Sequence, residues 1–275
     1  MVAMATVKRP TTEAKVWRLP AGAPRRLDED ALAVEEPLEL RLGGRPTTVI
    51  MRTPGHDEEL ARGFLFTEGL ISTASDLRAI RRPDGPPEEA GNVLDLEVAP
   101  ALVRVQPFQR NFYASSSCGV CGKSSLAAIA IKSPPVASDI EVARSTVAQL
   151  PERLSCAQAV FMRTGGLHAA GMFTATGDLL AAREDVGRHN AVDKLIGWAL
   201  SESRLPASNT ILMVSGRTSF EILQKSIAAG IGIVCAVSAP SSLAVSLATH
   251  FNVTLVGFLR SNSMNIYSHP ERIKD

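Results

Sequence analysis

The stretch Ile211-Leu-Met-Val-Ser-Gly-Arg-Thr-Ser-Phe-Glu-Ile-Leu-Gln-Lys-Ser-Ile-Ala-Ala-Gly-Ile-Gly-Ile-Val-Cys-Ala-Val237 decides the fold. Ile211–Val214 is a short apolar run of strand type. It turns through Ser215-Gly-Arg-Thr218 into an amphipathic helix over Ser219–Ala229. Gly230 stands where the residue after a helix turns left-handed, and Ile231–Val237 is again strand-like. The unit repeats, with a helix over Ser241–His250 and a last strand over Val253–Leu259. Strands alternating with helices of this length predict an α/β domain with a covered, mostly parallel sheet.

Upstream the pattern changes. Leu167–Thr174 and Leu179–Arg183 flank Thr176-Gly-Asp178 and read as a hairpin. Ser138–Leu150 reads as a helix with Ile140, Ala143, Val147 and Leu150 on one face, stopped by Pro151. Lys123–Ile131 reads as a second, apolar helix ending at Ser133-Pro-Pro135. Residues 37–51 alternate around Gly43-Gly44, a hairpin signal. Asp57-Glu-Glu59 opens a helix that Gly69 closes, since acids suit the positive first turn. Arg81–Asn92 is a loop, followed by strands at Val93–Val98 and Leu102–Gln106. Residues 1–30 read as a flexible arm with one strand at Ala14–Leu19. The expected organisation is therefore an arm (1–30), a β-rich domain with one helix (31–110), and an α/β domain (111–275).

A chain of 275 residues has ample material for a core, and 45% hydrophobic against 21% charged residues is globular composition, not disorder. A formal charge of +1 argues against a nucleic-acid binder, which needs a basic excess to neutralise phosphates. The longest apolar run, Ile227–Ala239, is too short for a membrane span of about 20 residues. Residues 1–30 hold no apolar signal-peptide core. A soluble cytoplasmic protein is expected, with no membrane partner.

Four cysteines make no disulfide scaffold in a chain this long. Two of them form Cys118-Gly-Val-Cys121, preceded by Ser115-Ser-Ser117 and followed by Gly122-Lys-Ser124 at a helix start. A helix N-terminus and a nearby lysine stabilise a thiolate, the nucleophilic form. The pair admits four readings: incidental cysteines, half of a zinc site, a redox dithiol, or a sulfur-carrying thiol. A structural zinc site needs about four ligands, and no second Cys-x-x-Cys exists. The three serines count against a thioredoxin-type dithiol. A P-loop is not expected, because Ser117 stands where that motif needs glycine. No structural metal is expected.

Polar clusters fall at element ends: Thr164–His168, Arg183–Asn190 before a helix bearing Asp193 and Lys194, and Ser215–Glu221. Ser238–Ser242 forms another such corner. Thr218 and Glu221 have capping-box spacing, the structural reading of that cluster. The functional reading is anion binding by helix-start amides beside Arg217, Thr218 and Ser219. Among the histidines, His189 is the one expected to contact ligand; His56 and His250 are expected at the surface. Cys235 is expected in the core, and Cys156 has no evident partner.

These stretches resemble the formate dehydrogenase accessory sulfurtransferases, the FdhD family. The likeness is carried by Met51–Leu60, Gly63–Gly69, Phe112–Lys123, Thr164–Ala170, Arg183–Lys194, Ser215–Glu221, Val237–Ala244 and Val256–Arg260. The resemblance implies a sulfurtransferase. It would take persulfide sulfur from a cysteine desulfurase and pass it to the Mo-bis(molybdopterin guanine dinucleotide) cofactor, or its tungsten form, of formate dehydrogenase. Cys118 would be the persulfide carrier and Cys121 its helper. Phe258, Leu259, Arg260, Ser261, Asn262 and Ser263 would contact the cofactor. The resemblance also implies a small β-rich domain followed by a cytidine-deaminase-like α/β/α domain; a homodimer is compatible with it. Deaminase chemistry itself is not expected. It needs His-x-Glu and Pro-Cys-x-x-Cys, whereas Ala169-Ala170 follow His168 and Ser117 precedes Cys118. A non-catalytic chaperone that binds and delivers the cofactor is the alternative.

Overall fold

The computed structural model describes residues 8–83, 86, 90–99, 113–114 and 133–275. The thiol pair Cys118/Cys121, the strand expected over 102–106 and the helix expected over 123–131 lie outside these residues. In place of a loose arm with one strand, residues 11–33 form an antiparallel ribbon of β1 (Thr11–Arg18) and β2 (Arg26–Ala33). The second strand is too rich in charge to read as one. Those charges are used across the ribbon, where Arg18 reaches Asp28 at 2.9 Å and Asp30 at 3.1 Å.

β3 (Glu36–Leu42) and β4 (Arg45–Arg52) form the expected hairpin. Gly43 and Gly44 both take positive φ, 56° and 79°, as a tight two-residue turn requires. The expected acidic-start helix is α1 (Asp57–Thr67). β5 (Leu77–Arg81), not anticipated from the sequence, joins β6 (Val93–Val98) and β7 (Tyr113–Ala114) in a sheet of order β5-β6-β3-β4-β7. Leu38, Leu40, Ile50, Leu94 and Leu96 of this sheet pack against Leu60, Ala61 and Leu65 of α1. Each such leucine contributes about 1.5–3 kcal/mol through burial.

The helix expected over 138–150 is displaced. Val142–Ala143 is a short strand, β8, paired with the C-terminal Ile273–Lys274, and α2 (Arg144–Cys156) runs through Pro151. Proline removes a hydrogen bond there. Burial of Val147, Leu150 and Leu154 on one face carries the helix past that loss. A further short helix, α3 (Ala159–Thr164), has no counterpart in the sequence reading.

The second sheet contains β9 (His168–Thr174), β10 (Leu179–Asp185), β11 (Thr210–Val214), β12 (Ile233–Ala236), β13 (Thr254–Arg260) and β14 (Ser263–Ser268). Its order is β10-β9-β11-β12-β13-β14. β11, β12 and β13 are parallel; the β10–β9, β9–β11 and β13–β14 pairs are antiparallel. Parallel pairing is thus confined to the strands joined by helical crossovers, and the sheet is mixed rather than mostly parallel.

Side chains alternate between two cores, as strand geometry dictates. Met172, Leu212, Val214, Val234 and Leu255 face α4 (Arg188–Ser201), α5 (Phe220–Ala228) and α6 (Ser242–His250). Phe173, Ile211, Met213, Ile233, Cys235 and Val256 face α2. The α/β/α layering is complete. Cys235 is the core residue expected, and burial pushes its thiol far above the usual range.

α1 is shared between the two halves. On its sheet side it presents leucines; on the other it crosses α4 at two glycines. A Cβ on Gly63 would stand 1.8 Å from the Asp193 carbonyl oxygen, and one on Gly197 1.8 Å from that of Glu59. Beside this crossing, Arg183 Nη2 donates to Glu59 Oε1 at 2.8 Å and His56 Nδ1 lies 3.2 Å from Glu59 Oε2. Burial alone would raise the Glu59 pKa, but the hydrogen bonds and charge of Arg183 and His56 prevail and hold it at about 2. A carboxyl depressed in the folded state stabilises above its unfolded pKa and stops doing so as pH falls through the folded one. Stability is therefore expected to decline between about pH 4.5 and pH 2 by at most about 3 kcal/mol through this residue. Acid denaturation of Glu59→Gln, which lacks that titration, should show a correspondingly shallower slope; an unchanged slope would reject the assignment.

Candidate functional site at the carboxyl edge of the second sheet

β10 and β11 through β13 all end at one edge of the sheet, and antiparallel β9 begins there. Five polar segments selected from the sequence meet along it. His168 opens β9; Asp185–His189 links β10 to α4; Ser215–Ser219 links β11 to α5. Ser238–Ser241 links β12 to α6, and Phe258–Ser263 ends β13 and turns into β14.

Contacts join these segments in order. A Cβ on Gly216 would sit 3.4 Å from His168 Nδ1 and 3.7 Å from Arg188 Cδ, so this glycine admits both side chains. His189 Nε2 lies 3.3 Å from Ser219 Oγ. The Thr218 amide donates to the Ala239 carbonyl at 3.3 Å, and the Ser241 amide donates to that of Thr218 at 2.9 Å. The Phe258 amide donates to the Ser238 carbonyl at 3.2 Å. Three helix N-termini, of α4, α5 and α6, therefore open at this edge with their partial positive charge.

The expected Thr218–Glu221 capping box is absent. Ser219, not Thr218, is the N-cap of α5 and makes no side-chain cap bond. Glu221 instead pairs with His189, Oε2 to Nε2 at 2.8 Å, with both residues buried. Ser219 and Glu221 address the same imidazole nitrogen, so the three do not form a nucleophilic triad, which needs acid and hydroxyl on opposite nitrogens. Thr218 is 1% exposed and its Oγ1 has no hydrogen-bond partner among the described residues. His168 is held below the usual imidazole pKa by burial, then by nearby Arg188 and His189, with Asp185 opposing.

Arg217 and Arg260 are exposed at the edge. Arg260 donates to the carbonyls of Val237 and, at 2.9 Å, Leu259. Ser261, Asn262 and Ser263 are exposed, whereas Leu259 is fully buried in the core facing α2. His56 and His250 are exposed as expected, and so is Cys156.

A buried node fixes the edge to the first sheet, and the sequence reading did not foresee its long-range half. Asp185, fully buried, accepts from the amides of Gly187 (2.8 Å) and Thr53 (3.1 Å) and from Asn190 Nδ2 (2.8 Å). Lys194 Nζ pairs with Asp185 Oδ2 at 2.8 Å and donates to the Thr53 carbonyl at 2.8 Å. Asn190 also donates to the Met51 carbonyl at 2.8 Å. The end of β4 is thereby bolted to the start of α4. Among the described residues, no group of three or more His, Cys, Asp or Glu is placed to hold a metal, and no helix is long and apolar enough to cross a membrane.

Fold and site define an α/β/α protein whose second sheet gathers three helix N-termini and exposed arginines at one edge, fused to a smaller sheet. The chain belongs to the FdhD/NarQ family, whose profile matches residues 33–274. It is 54% identical over 269 residues to the sulfur carrier protein FdhD of Mycolicibacterium paratuberculosis, covering 96% of this chain and 98% of that protein. It is 50% identical to the protein of that description from Nocardia farcinica, covering 97% and 96%. A solved structure from Desulfotalea psychrophila, described as a formate dehydrogenase accessory protein, superposes with a TM-score of 0.73 at 24% identity, covering 96% of this chain and all of that one. That likeness supports the fold.

Proposed function

We propose that the chain is a sulfur carrier for the maturation of formate dehydrogenase, with Cys118 as the persulfide-bearing thiol. The Cys118 thiolate attacks the outer sulfur of a cysteine desulfurase persulfide. The donor's S–S bond breaks, its thiolate leaves, and Cys118 becomes the persulfide with no net change of oxidation. Attack of Cys121 on the inner sulfur then releases hydrosulfide and leaves a Cys118–Cys121 disulfide, so the thiol pair supplies the two electrons. A dithiol reductant resets it. The acceptor is the Mo-bis(molybdopterin guanine dinucleotide) cofactor, or its tungsten form. Its pyrophosphates and guanines suit the helix-start amides, His189, Arg217, Thr218, Ser219 and the Phe258–Ser263 segment.

The observation that carries this reading is a strand pairing. Ala114 of β7 lies beside Ile50 of β4, and the next β4 residue, Met51, is hydrogen-bonded to Asn190 at the recognition edge. Cys118 follows Ala114 by four residues, a tether of at most about 14 Å. Such a tether supports a thiol working within reach of that edge. Incubation with a desulfurase and cysteine should add ~32 Da to the peptide containing Cys118, and Cys118→Ala should fail to activate formate dehydrogenase. Labelling confined to Cys156 or Cys235, or normal activation by the alanine variant, would sink the carrier reading.

A further inference from the structure

The ribbon of β1 and β2 leaves an edge open. Among the described residues β1 pairs with β2 alone, whereas β2 also packs against α3. A two-stranded ribbon is marginal by itself and gains independent stability from further strands. The outer edge of β1 presents a row of amides and carbonyls that a strand can pair with. Thr12, Glu13, Lys15, Trp17 and Arg18 along it are exposed. The cross-strand pair Trp17–Leu27 stands open as well, 60% and 55% exposed.

Pairing fixes which side chains share a face. Glu13, Lys15 and Trp17 lie on one face, with Ala31, Glu29 and Leu27 directly opposite them on β2. Charges on the other face are already used, Arg18 with Asp28 and Asp30. Lys15 has an acid across the ribbon, but Glu13 stands opposite alanine.

Lysine on an edge strand ordinarily guards against pairing. Glu13, two residues before Lys15 on the same face, reverses that effect for one partner, a second β1 running antiparallel. With Ala14 on the two-fold axis, Glu13 meets Lys15 of the second copy, and Lys15 meets its Glu13. The row across the sheet then runs Glu29, Lys15, Glu13, Ala31, so each lysine stands between two acids. The neighbouring registers, centred on Glu13 or Lys15, set like charges directly opposite each other, which is destabilising. β2 offers no such solution: Asp28, Glu29 and Asp30 are consecutive, and antiparallel self-pairing centred on any of them sets acid against acid.

We propose that β1 is the docking edge for a second copy of this chain, the two joined about Ala14 into a four-stranded antiparallel sheet of order β2-β1-β1-β2. The contact is isologous, with the same residues on both sides, as a two-fold dimer requires. It is independent of the sulfur-carrier reading.

Sedimentation of the full chain tests the charges, and cross-linking tests the register. The wild type should sediment as a concentration-dependent dimer. Glu13→Lys and Lys15→Glu each turn two attractive pairs into two repulsive ones, and each should weaken self-association at least about fivefold. Mixed in equal amounts, the two variants should associate with each other, because every lysine at the interface again faces a glutamate; that recovery separates lost pairing from misfolding. Ala14→Cys should form an intermolecular disulfide that the wild type lacks. Opposed residues of antiparallel strands hold their Cα atoms about 4.5–5.5 Å apart, within disulfide reach. Thr12→Cys, about 13 Å or more from its copy in this register, should not form one. A wild type that stays monomeric at about 100 μM overturns the proposal. So does a dimer that both charge variants leave intact, a mixture of the variants that fails to associate, or the absence of the disulfide in Ala14→Cys.

Discussion

Gly197→Ala is expected to destabilise the protein by about 3 kcal/mol or more, the upper end of what overpacking costs. Helix propensity predicts the opposite sign, since alanine exceeds glycine by about 1 kcal/mol in a helix interior. The crossing decides. The new methyl would lie 1.8 Å from the Glu59 carbonyl oxygen and 2.8 Å from the Gly63 amide nitrogen, both backbone atoms of α1. A side chain in the way can rotate aside; a helix backbone has to move bodily. Moving α1 away from α4 would also disturb Leu60, Ala61 and Leu65 on its other side. Gly63→Ala should behave alike, because its methyl would meet the Asp193 carbonyl at the same distance. Urea unfolding followed by circular dichroism measures both, and a midpoint equal to or above the wild type would refute the backbone contact.

Lys194→Met should cost about 3–5 kcal/mol, the penalty for removing one partner of a buried ion pair. Asp185 is fully buried, and without the ammonium its charge is left with amide donors alone. The Thr53 carbonyl loses its Lys194 donor as well. Adding Asp185→Asn to Lys194→Met removes the stranded charge and keeps an acceptor for the Gly187 amide. The double variant should therefore recover part of the loss. If the two effects simply add, the pair is not coupled and the node has been misread. Hydrogen exchange at Gly187 should rise in the single variant, because that amide donates to Asp185 Oδ1 at 2.8 Å.

Local pattern made much of the fold legible. Gly43-Gly44 announced its hairpin, and the Ile211–Leu259 alternation announced three strands and two crossovers, because those signals lie within a few residues of one another. β5 and α3 were missed for want of length, and β14 because it follows Arg260 through a polar two-residue turn that reads as a chain end. The helix misplaced at Ser138 shows how tertiary pairing overrides periodicity: Ile140, Val147 and Leu150 are buried together, as the pattern implies, but Ile140 lies in an extended segment in which Val142, and not the expected Ala143, is buried. At the site, the clusters were visible as motifs. Their partners were not: Glu221 has capping spacing from Thr218, and nothing local says that His189 claims it. The Thr53–Asp185 hydrogen bond joins residues 132 apart in sequence, a separation that a single sequence does not report.

The same separations bear on how the chain is made. α1 leaves the ribosome well before its partner α4 exists. Gly197 is synthesised 130 residues after Thr67, on the order of ten seconds later at ordinary elongation rates. During that interval the first sheet can cover the leucine side of α1, but the glycine side faces solvent and Thr67 awaits both Asp193 and Lys225. Met51 and Thr53 likewise wait for Asp185, Asn190 and Lys194. The carboxyl edge of the second sheet therefore closes onto the first sheet only in a nearly finished chain, so a nascent or truncated product lacks the completed edge.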